Sequence, residues 1–80
     1  MYLEIITPDK KVFEGEVNLV QLPGSKGSFT ILKNHAPIIS TLHKGTIKVE
    51  DVSGKEYEFY VGGGVIENSA NKVTVLVESV

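Results

Sequence analysis

The chain of 80 residues contains no cysteine, no tryptophan and no arginine. Without cysteine there is neither a disulfide framework nor a thiolate metal site. Without arginine there is no bidentate clamp for phosphates or carboxylates. Positive charge rests on 8 lysines against 10 acids, a net charge of -2. That balance argues against a nucleic-acid binder, which concentrates basic residues on one face. No apolar run approaches the ~18 residues of a membrane span. Met1-Tyr2-Leu3-Glu4 lacks the basic and apolar regions of a secretory signal, so the sequence reads as that of a soluble, cytoplasmic-side protein. The length suits one domain, 1–80, that buries only ~60% of the surface its unfolded form exposes.

What is abundant is strand chemistry. Val, Ile and Thr make up 23 of the 80 residues. Tyr57, Phe59 and Val61 alternate with Glu56, Glu58 and Tyr60, and Val73, Val75 and Val77 alternate with Thr74, Leu76 and Glu78. Ile47 and Val49 alternate with Thr46, Lys48 and Glu50. A period of two places one set on a buried sheet face. Phe13, Gly15, Val17 and Leu19 follow the same period, but the apolar set then shifts to Val20 and Leu22, which predicts a bulge near Asn18.

Turn pairs separate these runs: Pro8-Asp9, Pro23-Gly24, Lys44-Gly45, Ser53-Gly54 and Ala70-Asn71. They predict strands over 2–7, 11–17, 18–22, 28–32, 38–42, 46–51, 55–61, 64–68 and 72–79. No segment repeats apolar residues at helical spacing. The fold class is all-β, a flattened sandwich or barrel of about eight to ten short strands. Phe29 and Phe59 are the expected anchors of its core. Ile38 and Ile39 must point to opposite faces, so only one of them can enter it.

Catalytic templates find little support. Ser40, His43 and Asp51 are the residue types of a nucleophile, base and orienter, but Ser40 lacks the Gly-x-Ser-x-Gly turn that would expose it. His35 and His43 are too few for a zinc site without cysteine. Glu14 with Glu16, and Glu56 with Glu58, share strand faces and read as solvated surface rather than a glycosidase pair. Gly62-Gly63-Gly64 leads into a strand, not the helix that a phosphate loop needs. Lys10, in the turn after Asp9, raises the alternative of a free-standing carrier of lipoyl or biotinyl type. Such a carrier holds its modified lysine mid-chain between two similar halves, which this chain lacks. No catalytic, cofactor-binding or metal site is assigned.

The segment Leu22–Leu42 differs in kind, being polar and punctuated by glycine and proline, the composition of a functional loop at one end of a sandwich. Here the sequence resembles the N-terminal β-sandwich domain of the epsilon subunit of F-type, proton-translocating ATP synthases. Ile6-Thr7-Pro8 and Val12-Phe13-Glu14-Gly15-Glu16-Val17 match its opening hairpin. Pro23-Gly24, Gly27, Phe29, Asn34-His35-Ala36-Pro37, Leu42 and Gly45 match its centre. Gly63-Gly64, Glu67 and Asn71-Lys72-Val73-Thr74-Val75-Leu76 complete a pattern that runs nearly the whole length.

The resemblance implies a non-catalytic, cofactor-free subunit of the central stalk, held between the gamma subunit and the membrane c-ring. It would couple rotation of the ring to ATP synthesis as a peripheral component at the cytoplasmic face of the bacterial inner membrane. It also implies a gamma-facing set, Thr7, His35, Ile38, Ser40 and Leu42, and a ring-facing turn, Ser25, Lys26, Gly27 and Ser28. The family can carry an acid where Ser28 stands, so other polar groups would make the ring contact here. Asn68 replaces the family's usual apolar residue. Many epsilon subunits continue into two inhibitory, nucleotide-binding helices, whereas this sequence ends at Val80. No specific ATP binding is expected of it.

Overall fold

Three of the strands are far longer than the turn pairs predict. The computed structural model describes residues 1–80 and contains six strands: β1 (Tyr2–Ile6), β2 (Lys11–Leu22), β3 (Phe29–Leu32), β4 (Ile38–Asp51), β5 (Glu56–Ser69) and β6 (Lys72–Val77). The class is all-β as expected, with fewer and longer elements. Predicted runs 11–17 and 18–22 fuse into β2, runs 38–42 and 46–51 into β4, and runs 55–61 and 64–68 into β5. Lys44-Gly45 is therefore not a turn. Its backbone stays in the ladder, with Lys44 opposite Gly62 and Gly45 opposite Val61.

The strands follow the order β1-β6-β5-β4-β2-β3, and a further β1–β2 pairing closes the sheet on itself. The β1–β6 pair is parallel and the others are antiparallel. Each long strand serves both layers of the sandwich. The first half of β2 pairs with β1, and its second half with β3 and β4. The second half of β5 lies between β4 and β6, while its first half has only β4 beside it. Closure removes most of the open edge that would otherwise invite association.

A strand that crosses between layers has to change which of its faces looks inward. The β2 crossing lies where the sequence predicts it: register shifts between Val17 and Leu19, with Val17, Val20 and Leu22 all buried. The Asn18 amide, left outside, donates to Glu50 Oε2 and to the Asp51 carbonyl, both at 3.1 Å. In β4 the buried positions pass from Leu42 to Ile47 and Val49, and in β5 from Val61 to Ile66 and Asn68. Both strands turn this corner together and keep their pairing.

Glycine makes the corner possible. Gly63 has φ +112°, which side-chain-bearing residues rarely adopt. A Cβ on Gly64 would lie 2.1 Å from the Leu76 carbonyl oxygen, so β6 approaches as closely as it does only because that position is bare.

The core is aliphatic: Met1, Leu3, Ile5, Val17, Val20, Leu22, Ile31, Leu42, Ile47, Val49, Val61, Ile66, Val73, Val75 and Val77 are buried. Phe29 and Phe59 do not anchor it; both are partly buried and pack against its rim. The strand phase around Phe59 is as predicted, but branched aliphatic side chains fill the space between the layers and leave the rings at the edge. There Phe13 meets Tyr57 and Phe59 edge-on, at centroid distances of 5.0 and 5.8 Å. No helix of the structure is long and apolar enough to cross a membrane.

Candidate interaction surface

Of the residues singled out in the sequence, Ile38, Ser40 and Leu42 lie on the first half of β4, and the 25–28 turn is bonded to it. Along this half, Ile38, Ser40 and Leu42 face inward and Ile39, Thr41 and His43 face outward. Ile38 is half-buried and Ile39 is 74% exposed, the opposite-face arrangement that strand geometry requires. Leu42 is a buried core residue, so it supports the surface from beneath and presents no side chain. Ser40 is half-buried and its hydroxyl donates to the Thr41 carbonyl at 3.1 Å.

Thr7 is also buried, and its hydroxyl is spent locally. Oγ1 donates to the Lys10 carbonyl at 3.2 Å and accepts from the amides of Asp9 and Lys10 at 3.3 and 3.2 Å. It closes the turn between β1 and β2, where Lys10 is exposed. His35 lies apart, in the exposed loop between β3 and β4, with Nδ1 donating to the Ala36 carbonyl at 2.7 Å.

The turn Ser25–Ser28 is wholly exposed, yet it is stapled to β4. The Ser25 amide donates to the Thr41 carbonyl at 3.1 Å, and the two side-chain hydroxyls are 2.8 Å apart. The His43 amide donates to the Pro23 carbonyl at 2.8 Å and its ring Nε2 to the Ser25 carbonyl at 3.0 Å. The 25–28 turn thus lies against part of the other set that the resemblance implies: with Ile38 and Ser40 it lines one groove of about 590 Å³.

An outward apolar row escaped the sequence reading. Register places Ile6 beside Leu76, Leu76 beside Val65, and Val65 beside Thr41, across four strands. Leu76 is 52% and Val65 41% exposed. The row borders an open groove of about 1000 Å³ over the corner that also includes Thr7, Leu42 and Gly62–Gly64. The available signal was Leu76, an apolar residue in the otherwise polar phase of its strand.

The catalytic templates are not assembled. Ser40, His43 and Asp51 are strung along the single strand β4, with Asp51 at its far end. Asp51 instead accepts from the Ser53 hydroxyl at 2.6 Å, from the Ser53 and Lys55 amides at 2.9 and 3.0 Å, and from the Tyr57 hydroxyl at 3.1 Å. These bonds, the Ser53 hydroxyl first, hold its carboxyl below the usual value. Glu14 accepts from the Tyr2 hydroxyl and from Lys11, and these two bonds lower its pKa. Glu4 is lowered in the same way by Lys11 and then Lys72, at 3.0 and 3.3 Å. The Gly62–Gly64 run forms the corner of β5 described above.

The family model for the beta-sandwich domain of the ATP synthase delta/epsilon chain matches residues 1–80. An ATP synthase epsilon chain of Desulfatibacillum aliphaticivorans is 44% identical over 77 residues, covering 96% of this chain and 55% of that one. One from Nitratidesulfovibrio vulgaris (strain DSM 19637 / Miyazaki F) is 46% identical over 79 residues, covering 99% and 58%. The epsilon chain of Chlorobaculum tepidum is 41% identical, and there the match covers 98% of this chain and 89% of the relative. The chain spans little more than half the length of the first two relatives. A chain of the Euglena gracilis mitochondrial ATP synthase has the same fold, with TM-score 0.88 at 23% identity over 98% of this chain and 51% of its own. A chain from the Tetrahymena thermophila central stalk and c-ring structure superposes with TM-score 0.83 at 18% identity, covering 99% and 63%. With the motifs in order along a closed all-β sandwich, the chain belongs to the ATP synthase delta/epsilon family, as its epsilon-type β-sandwich domain.

Proposed function

We propose that the chain acts as a non-catalytic central-stalk component of a rotary ATP synthase, passing rotation of the c-ring to the gamma subunit. The observation that carries this reading is the joining of two unlike surfaces on one closed barrel. Apolar Ile39 and the half-buried Ile38 lie on β4, and the polar Ser25–Ser28 turn is hydrogen-bonded to that same strand. Torque passes between two partners only if their contacts are mechanically continuous, and the Ser25–Thr41 and His43–Ser25 bonds supply that continuity. On this reading the neighbourhood of Thr7, His35, Ile38 and Ser40 meets gamma, and Ser25, Lys26, Gly27 and Ser28 meet the ring. Leu42 braces the first of these contacts. Membrane association then comes only through the complex, as a peripheral component at the cytoplasmic face of the bacterial inner membrane.

The test is co-purification with gamma of an F-type ATP synthase. Ile39→Glu places a charge on a side chain that is already 74% exposed, so the free domain should keep its melting temperature within ~2 °C. Capture of gamma should fall about tenfold or more, as for a charge buried unpaired in an interface. Ser40→Glu should act in the same direction. Undiminished capture by both variants would remove β4 from the gamma contact. Lys26→Glu should leave gamma binding intact and weaken assembly with the ring.

A further inference from the structure

Thr7 and Asn68 are the two buried polar side chains, and they are used differently. Thr7 closes its own turn, whereas Asn68 reaches a loop 33 residues away in sequence. Asn68 continues the inward row of β5 after Ile66 and pairs with Val73, a position where an apolar residue would pack without loss. Its side-chain amide donates instead to the carbonyls of His35 and Ala36, at 3.4 and 3.3 Å. Its Oδ1 is buried with no partner.

The loop it reaches, Lys33–Pro37, is exposed throughout. Asn34 there has φ +65°, and the loop's own turn bond runs from the His35 amide to the Leu32 carbonyl at 3.1 Å. Within the loop the His35 ring also donates to the Ala36 carbonyl at 2.7 Å, and the hold from outside comes from the β5–β6 hairpin: the two Asn68 bonds, and a bond from the Asn34 amide to Asn71 Oδ1 at 3.4 Å. An unpaired buried acceptor costs about as much as, or more than, long hydrogen bonds return. Asn68 is therefore a poor choice for the core, and its gain lies in the loop.

From this we infer that Asn68 is a positioning residue: it presets the 34–37 loop for a protein partner, at the expense of fold stability. The inference rests on the reading above, in which the surface around His35 meets gamma. Fixing a loop before contact removes an ordering cost from binding. Asn71 is the second, weaker point of the same clasp, and its own left-handed backbone, φ +62°, shapes the hairpin that carries both residues.

Two variants of the full 80-residue chain test this. Asn68→Val removes the orphan acceptor and both loop bonds. Asn71→Gly tolerates the left-handed backbone and, of the bonds to the loop, removes only the one to Oδ1. Asn68→Val should melt at the same temperature or higher, exchange its His35 amide hydrogen about tenfold faster, and bind gamma about three- to tenfold more weakly, mainly through slower association. Asn71→Gly should speed exchange of the Asn34 amide and weaken binding less. A lower melting temperature or failure to fold for Asn68→Val overturns the claimed cost to the fold. Unchanged exchange at His35 in Asn68→Val, or at Asn34 in Asn71→Gly, overturns the clasp. Faster exchange with undiminished gamma affinity overturns its role in docking. If the unaltered chain does not bind gamma at all, the docking reading fails, and the exchange data still decide the clasp independently.

Discussion

The β4–β5 pair changes direction at two places by unlike means. At the corner, Leu42–Gly45 and Gly62–Gly64 turn from one layer to the other with the register unchanged across one unpaired position, His43 opposite Gly63, and bare backbone is what allows it. At the tip, residues 51–56, the chain reverses around one carboxylate that collects four hydrogen bonds. The corner depends on shape, which neither pH nor salt alters. The tip has its own left-handed glycine, Gly54, but depends also on charge, which both can alter. Two bends in one hairpin should therefore fail under different stresses.

Breaking the corner should have the largest effect. Gly64→Ala sets a Cβ 2.1 Å from the Leu76 carbonyl oxygen, and backbone cannot yield as a flexible side chain does. The expected loss is ~3 kcal/mol or more, against a total of ~5–15 kcal/mol for a domain of this kind. Urea unfolding measures it, and a loss under ~1 kcal/mol would mean that β6 moves away easily.

Next comes the aromatic rim, whose Tyr57 and Phe59 lie along β5 between the two bends. A fully buried phenylalanine costs ~3–5 kcal/mol on truncation, and the partly buried Phe59 should cost about half of that in Phe59→Ala. A full-sized loss in the same urea experiment would place the ring in the core after all.

The tip should respond to acid. The Asp51 carboxyl is held below its ordinary value by the Ser53 hydroxyl, then by the Lys55 and Ser53 amides and the Tyr57 hydroxyl. A lowered folded-state pKa adds stability that is present above the unfolded value, near ~4, and is lost as pH falls through the folded one. The Ser53 and Lys55 amides should therefore lose exchange protection below pH ~4 while the corner keeps its own. Asp51→Asn should abolish that pH dependence; a dependence that survives would assign the titration to another group.

The smallest effect belongs to the exposed network of Glu4, Lys11, Glu14 and Lys72. Exposed ion pairs are screened by salt, so raising NaCl to about 0.5 M should move the melting temperature by no more than ~2 °C. A larger shift would show that charge matters beyond the tip.

Much of this architecture is legible in the residue order. The alternation of Val73, Val75 and Val77 and the phase change at Asn18 both appear as read, because a strand's inside and outside repeat every two residues. The opposite facing of Ile38 and Ile39 follows from the same rule. Lys44-Gly45 misleads, because a glycine that relieves a corner looks in sequence like one that makes a turn. The phenylalanines mislead because hydrophobicity says that a ring leaves water, not how wide the gap between two sheets will be. The candidate surface is legible as a segment and not as a set of side chains. Leu42 and Thr7 belong to it by motif, yet packing buries both.

The sequence by itself determined the all-β class and the strand phases, which depend on residues close together along the chain, and the family, which rests on the order of motifs along its length. The tertiary structure alone decided where β4 and β5 cross between layers, which apolar side chains stay outside, and that Asn68 holds the carbonyls of His35 and Ala36. Those outcomes depend on what lies across the ladder: Leu76 against Gly64, Val65 beside Leu76, a loop against the end of β5. Local periodicity carries no record of neighbours that distant.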